Sequence, residues 1–159
     1  MITLVILILS FSIFWLVNKY VFQDRFSISY IGRTALAILL LFTGISHFFL
    51  TQQMVEMLPD FVPYKVEVVY FTGVLELLGA VGLIIHRTAK WTSIALILFF
   101  VAILPANIVA YLKQVELGGN GPGYLYFRIP LQLFFIWWTY YFGIRKLQTF
   151  FKAEYEVHS

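Results

Sequence analysis

Long apolar runs separated by short polar breaks set the pattern of this chain. Ile2 to Val17 is apolar apart from Thr3 and two serines, and Tyr20 to Phe22 extend the run to the roughly twenty residues that a bilayer-spanning helix needs. The run lacks a basic lead and a cleavage site of the Ala-x-Ala kind, so it reads as a retained helix rather than a cleaved signal peptide. Asn18, Lys19, Gln23, Asp24 and Arg25 form a polar turn. Four more apolar runs follow, over about 28–50, 64–85, 91–112 and 124–142. The pattern predicts an all-α polytopic membrane protein. A four-helix transmembrane bundle occupies 28–144, one additional N-terminal transmembrane helix lies within 1–23, and 145–159 forms a cytoplasmic tail.

The breaks carry their own information. Between Thr51 and Tyr64 stand Gln52, Gln53, Glu56, Asp60 and two prolines, Pro59 and Pro63. This stretch is too polar to span and too apolar to be freely solvated, which suits an interfacial segment lying over the bundle as a lid. The prolines forbid one continuous helix through it. In the fourth run, Pro105 removes an intrahelical hydrogen bond and frees a carbonyl about one turn earlier. The adjacent Asn107 is either part of a site or simply bonded across helices at a packing kink. Gly118 to Gly123 is a glycine-rich loop with no preceding strand, so it is not read as a phosphate cradle. Trp137, Trp138, Tyr140 and Tyr141 fit an interfacial aromatic belt.

Polar residues inside the apolar runs are the candidate chemistry, because an intramembrane ionisable group is costly and tends to face a bundle interior or a cavity. His47 is such a group. Positions 33, 37, 40, 44 and 47 share one helical stripe by the 3–4 spacing rule. Gly44, one turn before His47, lets a neighbouring helix approach closely. Arg33 lies near the start of the stripe, where snorkelling to the headgroups is the expected behaviour. Glu76 sits roughly 18 Å along its helix from Tyr64 at about 1.5 Å per residue, too deep to reach water, and is either protonated or paired with a cation. Gly73, Gly79, Ala80 and Gly82 around it mark a packing face. Arg128 and Gln132 stand one turn apart on the last run. His47 and Glu76 are the candidate proton-exchanging residues, and Asn107, Arg128 and Gln132 the candidate ligand-binding ones.

Composition narrows the classes. A hydrophobic content of 61% and a mean hydropathy of +0.86 exclude an ordinary soluble domain. Only 12% of residues are charged, and the net charge of +3 comes from residues flanking apolar runs, so no nucleic-acid partner is expected. There is no cysteine, which removes disulfides and thiol chemistry by this chain itself. His47, His86 and His158 are not spaced as metal ligands, and no metal is expected. Lys19, Arg25, Arg87, Lys90, Arg145, Lys146 and Lys152 fall on one side of five spans, whereas Lys65 and Lys113 on the other side are offset by Glu56, Asp60, Glu67 and Glu116. The positive-inside rule then puts the N-terminus outside, the C-terminus in the cytoplasm and the polar centre in the outer half of the membrane.

Gly44-x-x-His47-Phe48, Pro59 and Pro63, Gly73-x-x-Glu76, Pro105-Ala106-Asn107 and Arg128-x-Pro130-Leu131-Gln132 together resemble the DoxX family of small bacterial membrane proteins, over roughly Ile31 to Phe142. The resemblance implies a four-helix membrane core in the plasma (inner) membrane, a shared polar pocket made by the motif residues, and association with redox systems, including quinone-reducing thiosulfate oxidation. The first helix is an addition to that core. Three functions follow as expectations. One is a quinone-linked redox component without a covalently bound cofactor, fed electrons by a redox partner protein, in which His47 and Glu76 supply protons. Another is a non-catalytic scaffold or assembly module whose polar cluster fixes helix register. The third is a transporter for a small solute or protons, which in so short a chain requires a homo-oligomer.

Overall fold

The computed structural model describes residues 2–113 and 125–147; the Gly118 to Gly123 loop and tail residues 148–159, His158 included, lie outside them. The described residues are helical, with no strand among them. The order is α1 (Ile2–Tyr20), α2 (Ile28–Phe49), α3 (Thr51–Met57), α4 (Lys65–Ile84), α5 (Ala89–Lys113) and α6 (Leu125–Tyr140). A π-helical turn, Tyr141–Arg145, continues α6. Helices α1, α2, α4 and α5 are long and apolar enough to cross a membrane. Their outward faces carry side chains such as Phe71, Leu78 and Leu98, each more than 60% exposed. Helices apolar on their outer faces as well as toward the core are what a hydrocarbon surround selects.

Local chemistry sets the element ends. Ser27 caps α2 by accepting a hydrogen bond from the Tyr30 amide at 3.2 Å, which satisfies one of the amides left open at a helix start. Asn18, buried in the last turn of α1, accepts from the Phe26 amide at 2.9 Å and donates to the Phe26 carbonyl at 3.1 Å. This two-point clamp fixes the α1–α2 turn, in which Gln23 and Asp24 take left-handed backbone conformations with φ of 51° and 60°. Stacking of Phe26 on Tyr30, with Phe14 tilted against Phe26, reinforces it.

Helix α2 is the hub: it packs along α1 and α4, while α5 packs along α6 and against α4. The closest crossing is between α2 and α4. A Cβ built on Gly44 would lie 3.1 Å from the Gly73 carbonyl oxygen, and one on Gly73 would lie 3.1 Å from the Gly44 carbonyl oxygen. Side chains on both glycines would force the backbones apart. Arg33, Ala37, Leu40 and Gly44 are all buried on the inner stripe of α2, and Leu36, Leu39, Leu83, Leu96 and Phe100 fill the core around them.

Two expectations are corrected at the end of the molecule remote from His47. Arg33 does not snorkel. It is 1% exposed and donates to the Leu83 carbonyl at 2.9 Å, with a longer contact to Ser29 O at 3.4 Å. The C-terminal carbonyls of α4 lack helical partners, and a guanidinium is favoured where that helix dipole is negative. Trp138 is likewise not part of an aromatic belt. It is buried against Phe11 and Phe142, and its indole N–H donates to the Gly32 carbonyl at 3.0 Å. At this end α2 meets the π-helical turn, where Ser29 donates to the Phe142 carbonyl at 2.6 Å. A π-helical turn shifts the intrahelical pairing by one residue, and a hydroxyl from α2 serves the carbonyl exposed there.

Candidate functional site

At the other end, where α2 runs into α3, the helices enclose a cavity of about 500 Å³ to which all six contribute side chains. The five expected site residues, His47, Glu76, Asn107, Arg128 and Gln132, all line it. Most of the remaining wall is apolar or aromatic, including Leu40, Val69, Phe100, Ile103 and Phe135. The volume and the lining, largely apolar with a few convergent polar groups, are those of a small-molecule site.

The inner wall holds a cluster of three polar residues. Thr43 and His47 are one turn apart on α2, and the Gly44–Gly73 contact brings Glu76 of α4 beside them. The His47 ring nitrogen Nδ1 is 2.9 Å from the Thr43 carbonyl, an acceptor only, so Nδ1 carries a proton and Nε2 is the ring's exchangeable position. Nδ1 is also 4.0 Å from Glu76 Oε2, and Thr43 Oγ1 is 2.5 Å from that same oxygen. Thr43 can serve Glu76 in either protonation state. Toward a carboxylate its hydroxyl donates; toward a neutral acid it accepts and turns its own proton to the Leu39 carbonyl at 3.2 Å. A buried carboxyl that changes protonation state without losing its partner avoids the penalty of an unsatisfied polar group.

The α5–α6 wall is built differently. Asn107 donates its side-chain amide to Gln132 Oε1, and Gln132 donates in turn to the Phe100 carbonyl. Helix α5 continues through Pro105. The ring of Pro105 leaves the Val101 carbonyl without an amide, and Gln132 serves the neighbouring Phe100 carbonyl. Asn107 is thus bonded across helices, and most of the Gln132 amide is engaged by protein groups. Arg128, one turn nearer the cavity mouth, places Nη1 3.3 Å from Met57 Sδ of α3.

Above the cavity, α3 forms the expected cover, as a seven-residue helix rather than a turn, with Met54, Met57 and Leu58 turned toward the space. The cover is tethered at its far edge. Asp60 accepts from Lys113 Nζ at 2.8 Å and from Lys65 Nζ at 3.3 Å, and Tyr64 takes a left-handed conformation, φ 50°, where the chain turns into α4. The hydrogen bond from Lys113, and then that from Lys65, hold the Asp60 carboxyl below its ordinary range.

Sequence reasoning missed Thr43 and Met57. Thr43 stands four residues before His47, a spacing that alone places it beside the imidazole, but threonines in helices commonly bond their own preceding turn. Met57 carries no polarity signal at all. Among the described residues there is no group of three or more side chains placed to hold a metal ion.

No curated protein and no solved structure matches this chain. Residues 36–143, which run from α2 to the π-helical turn and exclude α1, match a family model described as a domain of unknown function. That match takes in more than half of the sequence, Thr43, His47 and Glu76 and the whole α5–α6 network, and the chain belongs to this family, DUF8561.

Proposed function

We propose that this chain is a DoxX-like component of the plasma (inner) membrane that holds the headgroup of a lipid-soluble quinone in the cavity and exchanges protons with it. In this reading α2, α4, α5 and α6 form a four-helix transmembrane core, α6 reaching spanning length through its π-helical continuation, and α1 is an additional span. The N-terminus lies outside and the C-terminus in the cytoplasm, which puts the cavity near the outer face. The observation that carries the reading is the pairing of His47 and Glu76, with Thr43 bonded to both, in the wall of a mostly apolar cavity.

The residues present suit such a ligand. Quinone oxygens accept hydrogen bonds, and Arg128, a protonated Glu76 and, when the ring is an imidazolium, His47 through Nε2 are the donors lining the space. A bound quinone takes up two electrons, delivered by a partner redox protein, and two protons to become a quinol. Glu76 supplies one proton from its carboxyl, and Thr43 keeps that carboxyl partnered afterwards; His47, as an imidazolium, supplies the other from Nε2 and is left neutral with its Nδ1 proton on the Thr43 carbonyl. Arg128 orients the headgroup from the α6 side beneath the α3 cover. Mass spectrometry of lipid extracts from the purified protein tests the reading: wild type carries a lipid quinone, and His47→Ala and Glu76→Gln carry much less. Equal quinone content in all three proteins, or none in wild type, rejects it.

A second reading, a non-catalytic scaffold, is favoured by the Asn107–Gln132–Phe100 network, whose polar groups are largely engaged by one another and by backbone. Such a network fixes helix register in an apolar bundle. It predicts that the two variants lose thermal stability or partner recovery while their small-molecule content stays the same.

A further inference from the structure

The seam between α4 and α5 is closed at one end and open at the other. Where the chain turns from Ile84 to Ala89, the two helices touch. A Cβ on Gly79 would lie 2.9 Å from Leu96 Cδ2, and one on Gly82 would meet the Thr92 side chain, so the two glycines let the backbones approach. The antiparallel register set by these contacts puts Thr72 opposite Ile103 and Val68 opposite Ala106. Packed as the glycines are, these side chains would seal the seam. Instead all four line the cavity, as does Phe99. At the far end the helices are joined through the cover: α3 packs against both, and Lys65 of α4 and Lys113 of α5 both reach Asp60 Oδ1.

The cavity therefore runs into the seam, and the seam leads outward. On α4, Val68 and Thr72 stand between two faces of the helix. Val69, Gly73 and Glu76 to one side are buried, whereas Phe71 and Leu78 to the other are each 62% exposed. Helix α5 repeats the arrangement, with Phe99 and Ile103 between the buried Phe100 and Asn107 and the exposed Leu98 and Ala102. Residues at the boundary of the interior and the apolar outer face thus line the cavity on both helices. Thr72 lies one turn from Glu76, and its hydroxyl donates to the Val69 carbonyl of its own helix at 2.9 Å. A fork whose polar group is already served by the backbone, with apolar walls and an apolar rim, suits a hydrocarbon chain rather than a polar solute.

We infer that the α4–α5 fork is a lateral portal: the ligand enters the cavity from the bilayer between Val68–Thr72 and Phe99–Ile103, and its hydrocarbon tail stays in the fork while its headgroup sits beside Glu76. This rests on the quinone reading above and deepens it. It makes the ligand a long-tailed membrane lipid, not a water-borne molecule, and it explains how α3 can stay closed over the cavity while the site fills.

The test uses the full chain in detergent. One probe is a benzoquinone whose decyl tail ends in a diazirine, which labels the residues around the tail when illuminated; the labelled peptides are identified by mass spectrometry. Labels on 68–78 of α4 and 95–106 of α5, lost when unlabelled decyl-benzoquinone is added in excess, are expected. Labels confined to α1, α2 or α6, or labels that excess quinone does not displace, overturn the portal and leave the quinone reading standing. Thr72→Phe, which narrows the fork, is then titrated calorimetrically with decyl-benzoquinone and with a tailless methylated benzoquinone. Its Kd for the tailed probe should rise about tenfold, roughly the loss of two buried methylene groups, and for the tailless one by no more than about threefold. Equal losses for both probes, or no loss for either, overturn the portal. Failure of wild type to bind either probe overturns the portal and the quinone reading together. Should Thr72→Phe not fold, Ile103→Phe, which narrows the fork from the other side, is held to the same criteria.

Discussion

Thr43 of α2 bridges to α4 through its hydroxyl, 2.5 Å from Oε2 of Glu76, beside the contact of Gly44 with Gly73. If that bridge supports a carboxyl that changes protonation state, the hydroxyl matters more than the volume of residue 43. Thr43→Val leaves a buried carboxyl short of a partner and should lower stability by about 1–3 kcal/mol, whereas Thr43→Ser should cost much less. Glu76→Gln keeps an oxygen for Thr43 and should melt near wild type. Chemical denaturation in detergent compares the three, and equal stability of the valine and serine variants rejects this role of the Thr43 hydroxyl.

Gly73 should be less replaceable than Gly44. A Cβ on Gly73 lands 2.7 Å from the His47 Cβ, an atom fixed to the α2 backbone. The nearest atom to a Cβ on Gly44 is Leu77 Cδ2 at 2.9 Å, the end of a flexible side chain. Both would also press on a carbonyl at 3.1 Å. Gly73→Ala is expected to cost about 1–3 kcal/mol through overpacking and to separate His47 from Glu76, with Gly44→Ala milder. Melting temperatures in that order, with quinone content falling first in Gly73→Ala, are the expected results.

The inner stripe of α2 was readable because helical periodicity maps sequence spacing directly onto one face: Arg33, Ala37, Leu40 and Gly44 all turn inward as their spacing requires. Asn107 and Gln132 stood out for the same reason that His47 did, as polar side chains with no local use in an apolar run. What periodicity could not give was the partner of each group. Arg33 bonds the Leu83 carbonyl, and backbone acceptors carry no sequence signature, so its burial looked like snorkelling from sequence. Trp138 was misplaced because an aromatic near a helix end is read as a belt residue until the neighbour that buries it, here Phe11 of α1, is known.

The Asp60 tether gives the cover a pH dependence of defined sign. Lys113 and Lys65 lower the folded-state pKa of Asp60, so the tether's contribution is fully present above the ordinary aspartate range and is lost as pH falls through the lower folded value. The α3 cover should therefore stay closed at neutral and mildly acidic pH and loosen only below about pH 4, the ordinary aspartate value. Asp60→Asn should loosen it at neutral pH too. Hydrogen exchange of residues 51–57 is the measurement. Faster exchange in Asp60→Asn at pH 7 is expected, and unchanged exchange in the variant would mean that the ion pairs do not hold the cover.

Gln132 and Asn107 separate a structural from a ligand role on the α5–α6 wall. Gln132 joins Asn107 to the Phe100 carbonyl, which as a carbonyl inside α5 keeps a helical amide, so Gln132→Leu strands the Asn107 amide and Asn107→Leu strands Gln132 Oε1. At about 1–3 kcal/mol for a group left unsatisfied, the two variants should lose similar stability. The quinone content of each variant, measured on the fraction that remains folded, then divides the roles. Content near that of wild type assigns the pair to register and packing, with recognition left to Arg128, His47 and Glu76. A loss of quinone without the expected loss of stability would instead mean that these amides release each other to bind ligand, and that the Asn107–Gln132 bond is the resting state of a binding site.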